Sequence, residues 1–242
     1  MLPTNINDVI FSSHGDKMLM SAIINGTLTF PSDAVKSILF YGRYGTGKTM
    51  LALMVPTFLE MLAATDEELA EYDWCYSYIG KNISVTPDNI DKPQITPQSL
   101  LYLNCGEVNK ATAGMFDILN SFIKRYLGSL CPASNKIHII LDEIDCLDKH
   151  QQDKLKGFVT STPSYVVFYM TTNNIQQVNK GLQSRSHLVL MDGVNANNKA
   201  LYIEILRKEF THLNNYTDTQ LEKWLISTEG DWRDIEKGVF RL

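Results

Sequence analysis

One octapeptide limits the folds open to this chain more than any other feature. Gly42-Arg43-Tyr44-Gly45-Thr46-Gly47-Lys48-Thr49 follows a short apolar run, Ser37–Tyr41, and leads into a helical stretch that begins after Lys48; these eight residues and Met50 are the expected nucleotide-binding segment. It meets the pattern G-x-x-x-x-G-K-[ST] in the context that pattern requires, a strand before and a helix after. Each part has a physical task. The glycines let backbone N–H groups turn inward around phosphates, and the N-terminus of the following helix adds positive potential. Lys48 can reach the β- and γ-phosphates of a nucleotide, and the Thr49 hydroxyl can ligate magnesium. A chance glycine turn is the alternative, and the flanking strand and helix weigh against it.

The rest of the chain suits such a loop. Four further apolar runs, Leu100–Leu103, Ile137–Leu141, Tyr165–Met170 and His187–Met191, are near-continuously hydrophobic rather than alternating. Strands covered on both faces need that composition, and helical periodicity between them predicts a parallel sheet wrapped by helices. Pro56 is expected to kink or end the helix after Lys48. Beyond it lie an acidic patch at 66–71, an aromatic cluster (Tyr72, Trp74, Tyr76, Tyr78) and a stretch from Thr86 to Pro97 with three prolines, which reads as an ordered excursion or a loop. After Met191 the strand pattern stops. Residues 197–210, 218–226 and 231–240 read as three short helices, with Thr217-Asp218 and Gly230-Asp231 supplying cap-type residues.

Composition excludes some classes. The chain has 242 residues, 44% hydrophobic and 20% charged, the make-up of a globular domain with a small appendage. No apolar run approaches the roughly 20 residues of a spanning helix, so no membrane partner is expected. The N-terminus lacks the regions of a secretory signal, which predicts a cytoplasmic protein. The net charge of −5 argues against a surface basic throughout, though not against a local basic face. Cys75, Cys105, Cys131 and Cys146 are scattered, with no CxxC pair. Reduced thiols rather than zinc ligands are expected.

Two polar strand ends carry the remaining chemistry. Ile137–Leu141 runs into Asp142-Glu143-Ile144-Asp145, and a carboxylate at the C-terminal end of a parallel strand faces the crevice where α/β proteins bind ligands. Asp142 is expected to hold magnesium through water, and Glu143 to orient or deprotonate an attacking water. The run Tyr165–Met170 ends in Thr171-Thr172-Asn173-Asn174. Its amides can contact a γ-phosphate or simply close the strand with an Asx turn.

These motifs, in this order, resemble those of the AAA+ ATPases. Leu182-Gln183-Ser184-Arg185-Ser186 is similar to the SRC motif of sliding-clamp loaders, with serine for cysteine, and Thr171–Asn174 precedes it as in phage-type clamp loaders. Leu103-Asn104 resembles the family's LNASD-type segment, although Cys105-Gly106-Glu107 departs from it. Gly230-Asp231-Trp232-Arg233 is similar to the GDMR sequence of the helical lid, and Asn7-Asp8-Val9-Ile10 to the segment that flanks adenine. The resemblance covers nearly the whole chain outside Ala63 to Pro97. It implies an α/β fold with a five-stranded parallel sheet in the order 5-1-4-3-2, an ATPase core over 1–193 and a helical lid over 194–242. By the same resemblance Asn173 is a first sensor and Arg233 a second. Arg185 is an arginine finger supplied in trans, and Val9 and Ile10 line an adenine pocket. Independently, a guanidinium suits the charge that builds on a transferring phosphoryl group.

The resemblance implies ATP and magnesium as ligands, with other clamp-loader subunits, a sliding clamp and primer-template DNA as partners. Lys110, Lys149, Lys154 and Lys156 are the candidates for phosphate-backbone contacts, which would be salt-sensitive and sequence-independent. Two departures stand out. The family's LRR-type sequence is Leu155-Lys156-Gly157 here. The sequence also stops at Leu242, directly after the lid, so the collar domain that holds clamp loaders together is expected to be missing. Either a partner supplies those contacts, the chain is a fragment, or the module is used differently. A helicase loader or replication initiator would share the nucleotide chemistry. A non-hydrolysing scaffold would not need intact Lys48, Asp142 and Glu143.

Overall fold

The computed structural model describes residue 6 and residues 9–32, 34–65, 100–108, 114–126 and 134–241. The aromatic cluster at Tyr72–Tyr78, the proline-rich stretch to Pro97, Cys75, Cys131, Lys110 and the Asn7-Asp8 pair lie outside these residues.

Five strands form one parallel sheet: β1 (Ser37–Tyr41), β2 (Leu100–Asn104), β3 (Ile137–Asp142), β4 (Val166–Thr172) and β5 (Ser186–Leu190). Their order across the sheet is β2-β3-β4-β1-β5, every neighbouring pair being parallel. That is the expected order. Burial follows position. Every residue of the interior strands β3 and β4 is buried, whereas the edge strands β2 and β5 each have one buried residue, because an edge strand has a neighbour on one side only.

Helices cover both faces. On one lie α1 (His14–Ile24) and α2 (Lys48–Ala63), packed on Ile38, Phe40, Val167 and Tyr169. α2 does not stop at Pro56 but continues to Ala63. A mid-helix proline costs roughly 3 kcal/mol. Residues Leu51 to Thr57 are all buried, and each fully buried aliphatic side chain is worth about 1.5–3 kcal/mol, so packing outweighs the lost hydrogen bond. After β2 come α3 (Cys105–Val108) and α4 (Met115–Tyr126), and after β3 comes α5 (Lys149–Ser161). Leu119 of α4 and Leu155 of α5 pack on Leu39, Ile139 and Phe168 of the opposite face. The start of α5 is held by a reciprocal capping box between Asp148 and Gln151, worth about 1 kcal/mol.

A polar cluster crosses this core. His138 on β3 is fully buried, and its Nε2 lies 2.7 Å from Glu60 of α2 while its Nδ1 lies 2.9 Å from the Tyr169 hydroxyl of β4. A buried polar side chain without partners costs several kcal/mol. Here both ring nitrogens are satisfied, and the pairing fixes α2 against the sheet.

A short helix α6 (Lys180–Gln183) leads into β5. Three helices follow it: α7 (Lys199–Glu209), α8 (Asp218–Ser227) and α9 (Trp232–Gly238). Thr217 caps α8 with Gln220 in a second capping box, and Asp231 caps α9. These helices have a hydrophobic cluster of their own, built from Tyr202, Leu206, Leu221, Leu225 and Ile235, and Ile10 from the N-terminal segment belongs to it. Among the described residues no helix is long and apolar enough to cross a membrane.

Candidate functional site

Parallel pairing aligns the strand ends. Tyr41 pairs with Thr172, and Asn104 with Asp142, so the residues that follow β1, β3 and β4 emerge along one edge. β1 lies between β4 and β5, where the winding of the sheet reverses. Crevices outside the carboxyl ends at such a point are where α/β sheets bind ligands.

The loop after β1 is wrapped as its sequence requires. Gly42, Gly45 and Gly47 sit at φ of 137°, 69° and 90°, values that L side chains rarely adopt. α2 starts at Lys48, so its first N–H groups, which have no partner within the helix, converge on the loop's hollow. Lys48 is buried, and its Nζ donates to the Gly42 carbonyl at 3.0 Å and to the Arg43 carbonyl. Burial pushes its ammonium down to about 8, against the opposing pull of Asp142, Asp145 and Glu143, and Arg233 pushes it the same way as burial.

Asp142 ends β3 within a cage of hydroxyls. Thr49 Oγ1 donates to its Oδ1 at 2.9 Å, Thr171 Oγ1 also donates to Oδ1, and Tyr102 OH donates to Oδ2 at 2.7 Å. Burial, then the hydrogen bond and charge of Asp142, push the Tyr102 phenol well above its ordinary value, so it remains a donor. Carboxylate and hydroxyl oxygens side by side are the hard donors that magnesium takes, and magnesium fills its other positions with water and phosphate. The chemistry of this donor set therefore fits that ion.

Glu143 adopts left-handed φ and ψ of 58° and 52°, a conformation uncommon for a residue with a side chain and concentrated at functional sites. Two bonds hold it there. Its N–H donates to Thr171 Oγ1 at 3.0 Å, and its Oε2 accepts from Asn104 Nδ2 at 3.4 Å. The Asn104 amide is oriented by its own Oδ1, which accepts the N–H groups of Gly106 at 2.9 Å and Glu107 at 3.2 Å.

After β4 the two readings of the polar run divide between residues. Thr172 Oγ1 accepts the Asn174 N–H at 3.0 Å, and Asn174 Oδ1 accepts that of Gln176 at 3.1 Å. Those residues close the strand. Asn173 instead faces a cavity of about 610 Å³, within the 300–1,000 Å³ of small-molecule sites.

That cavity gathers most of the expected residues. Tyr44 through Met50, Glu143, Asn173, Val9 and Ile10 line it, and Arg233 reaches it from the first turn of α9. Sequence reasoning missed part of its wall: Met54 and Met191 from the sheet side, and Ile205, Phe210 and Trp232 from the C-terminal helices. These apolar side chains share the wall with Lys208, Glu209 and Glu236 of the same helices. It also missed Tyr102 and Thr171 as supports of Asp142. Thr171 lay within the polar run already singled out, whereas a tyrosine in an apolar strand carries no such signal.

Other expected residues sit elsewhere. Gly42 and Arg43 line a second cleft with Asp192, Glu229 and Asp231. Arg185 precedes β5, whose first residue pairs with Ser37 at the start of β1. It therefore lies at the opposite end of the sheet from the loop, where its Nε donates to Thr160 Oγ1 at 3.0 Å and a terminal nitrogen to the Gly181 carbonyl at 2.9 Å. Lys149 and Lys154 are exposed on α5, while Lys156 is half-buried and paired with Asp153 at 3.1 Å.

The family described as "ATPase family associated with various cellular activities (AAA)" matches residues 38–192. Among solved structures, PCH-2 of C. elegans is similar at 14% identity with a TM-score of 0.50, over 86% of this chain and 49% of its own. A DNA polymerase III gamma subunit-related protein of Thermotoga maritima is similar at 14% identity with a TM-score of 0.45, over 86% of this chain and 57% of its own. The chain thus spans about half the length of these two structures. At such identity the likeness speaks to the fold alone. Among curated proteins, none matches the sequence.

Proposed function

Because this chain belongs to the AAA family of ATPases, we propose that it is a subunit of a DNA-replication clamp loader, binding and hydrolysing ATP to load a sliding clamp onto primer-template DNA. The observation that carries the ATPase part is the convergence of Lys48, Thr49, Glu143, Asn173 and Arg233 on one cavity that apolar side chains also line. A triphosphate lies along the loop and the start of α2, and the base fits against Val9, Ile10 and Phe210. Thr49 and Asp142 would hold a magnesium ion, which when bound neutralises phosphate charge. Glu143 accepts a proton from the attacking water, and Asn173 and Arg233 steady the γ-phosphoryl oxygens. Residues 1–193 act as the core and 194–242 as the lid, and the protein works in the cytoplasm.

The clamp-loader part is supported by the Leu182–Ser186 motif together with the place of Arg185. An arginine at the far end of the sheet cannot serve its own cavity, and a neighbouring subunit, the same or a different chain, would receive it. Lys149 and Lys154, exposed on α5, are the remaining DNA-facing candidates within the described residues, and Lys156 is committed to Asp153.

Phosphate release measured with and without primed DNA and a candidate clamp tests this reading. Stimulation that needs both is expected. Stimulation by DNA alone would move the chain to a helicase loader or initiator, and no phosphate release under any condition would leave a scaffold. In mixtures with wild-type chain, Arg185→Ala should bind ATP normally and depress turnover beyond its own share. Turnover that merely follows the wild-type fraction would remove the finger role.

The Lys48 ammonium makes binding pH-dependent with a definite sign. Its proton is held weakly in the empty site, at about 8, and more tightly once phosphates face it, so binding takes up a proton above that pH. ATP affinity measured by titration calorimetry should be steady near pH 7 and fall towards a tenfold loss per pH unit above about 8. An affinity that rises with pH would contradict the assignment of Lys48.

A further inference from the structure

We propose that Arg43 is a positioning residue that seats Arg233 at the nucleotide and makes the C-terminal helices responsive to occupancy of the phosphate loop. The inference rests on the nucleotide reading above, but its observations are separate. Arg43 occupies a variable position of the loop pattern, and its side chain leaves the cavity altogether. Its Nε lies 3.4 Å from Asp192 Oδ1, just beyond β5, and a terminal nitrogen bonds Glu229 Oε2. Glu229 stands in the turn between α8 and α9, four residues before Arg233. One guanidinium thus ties the loop to the sheet end and to the turn that presents Arg233.

The same turn rests on the loop through its backbone. The Trp232 N–H donates to the Gly45 carbonyl at 3.0 Å. A Cβ on Gly45 would lie 1.9 Å from Asp231 Oδ1, and one on Gly193 would lie 1.7 Å from the Glu229 carbonyl oxygen. Neither glycine leaves room for a side chain, so the turn packs directly against both the loop and the segment after β5.

The link to occupancy runs through the Arg43 backbone. Its carbonyl accepts from Lys48 Nζ and, at 2.9 Å, from Thr46 Oγ1. Phosphates recruit the Lys48 ammonium, which withdraws it from the Gly42 and Arg43 carbonyls. The peptide that carries the Arg43 side chain then changes its partners at the moment the loop fills. A residue bonded to the phosphate-binding lysine by its backbone and to the C-terminal helices by its side chain transmits one event to the other.

The test is the dissociation rate of a fluorescent ATP analogue, by stopped flow with excess unlabelled ATP, for wild type, Arg43→Ala, Arg233→Ala and the double variant. Exposed ion pairs are individually weak, so Arg43→Ala should speed release about 3–10-fold. In the Arg233→Ala background the same substitution should change release less than about twofold, because its effect passes through Arg233. Arg43→Lys, which keeps the charge, should recover part of the loss. Equal release from wild type and Arg43→Ala would overturn the proposal, and so would an acceleration that persists undiminished without Arg233, since general loosening of the loop would do the same. A wild-type chain that retains no analogue would overturn the nucleotide reading and this inference together, whereas normal wild-type binding with either of the first two results overturns this inference alone.

Discussion

Glu143→Gln is expected to lower ATP turnover by about 10²–10⁴-fold, the usual contribution of a general base, while leaving ATP bound. The substitution keeps the size and shape of the side chain, and the glutamine carbonyl can still accept from Asn104 Nδ2, which reaches Oε2 at 3.4 Å in the native site. The backbone N–H bond to Thr171 is untouched, so the left-handed turn at Glu143 should persist. What disappears is the capacity to take a proton. Single-turnover phosphate release beside equilibrium binding of a fluorescent ATP analogue would separate the two effects. Turnover at the native rate would remove Glu143 from the chemistry, and loss of binding in step with turnover would make it a structural residue instead.

Lys48→Ala should act on the other half of the site and abolish binding. The ammonium sits where a triphosphate would lie, and hydrogen bonds involving a charged group are worth about 1.5–3 kcal/mol each. Losing two such bonds to phosphate costs about 3–6 kcal/mol, roughly 10²–10⁴ in affinity. The variant also removes the Lys48 donor from the Gly42 carbonyl and leaves the Arg43 carbonyl with Thr46 Oγ1, so the empty loop should be modestly less stable. Titration calorimetry gives the affinity. The rise in melting temperature with magnesium and ATP gives an independent reading, because a ligand stabilises only the state that binds it. A variant that keeps its native affinity and thermal shift would show that phosphates are held elsewhere.

These two residues were legible in the sequence for different reasons. Lys48 belongs to a local motif, in which glycines, helix start and cation are all set by eight consecutive positions. Glu143 was legible because an apolar run ended in acid, and parallel strands deliver such ends to one edge. The partners that support them were harder to see. Tyr102 looks like one more apolar residue of an edge strand, and only the pairing of β2 with β3 brings its hydroxyl to Asp142. Pro56 pointed towards a kink or a helix end, and the helix continues because burial around it outweighs a local rule.

The sequence by itself determined the sheet's strands, the loop geometry and the place of the acidic pair at a strand end, since each depends on residues close together in the chain. Tertiary structure decided which groups meet across it. The apolar wall of Ile205, Phe210 and Trp232, the arrival of Arg233 at the cavity, the diversion of Arg43 to Asp192 and Glu229, and the stationing of Arg185 at the far end of the sheet all join residues distant in sequence. A pattern of residue types encodes local backbone preference, but contacts between distant segments follow from how whole faces are buried. That is why the phosphate loop could be read from eight letters and its partners could not.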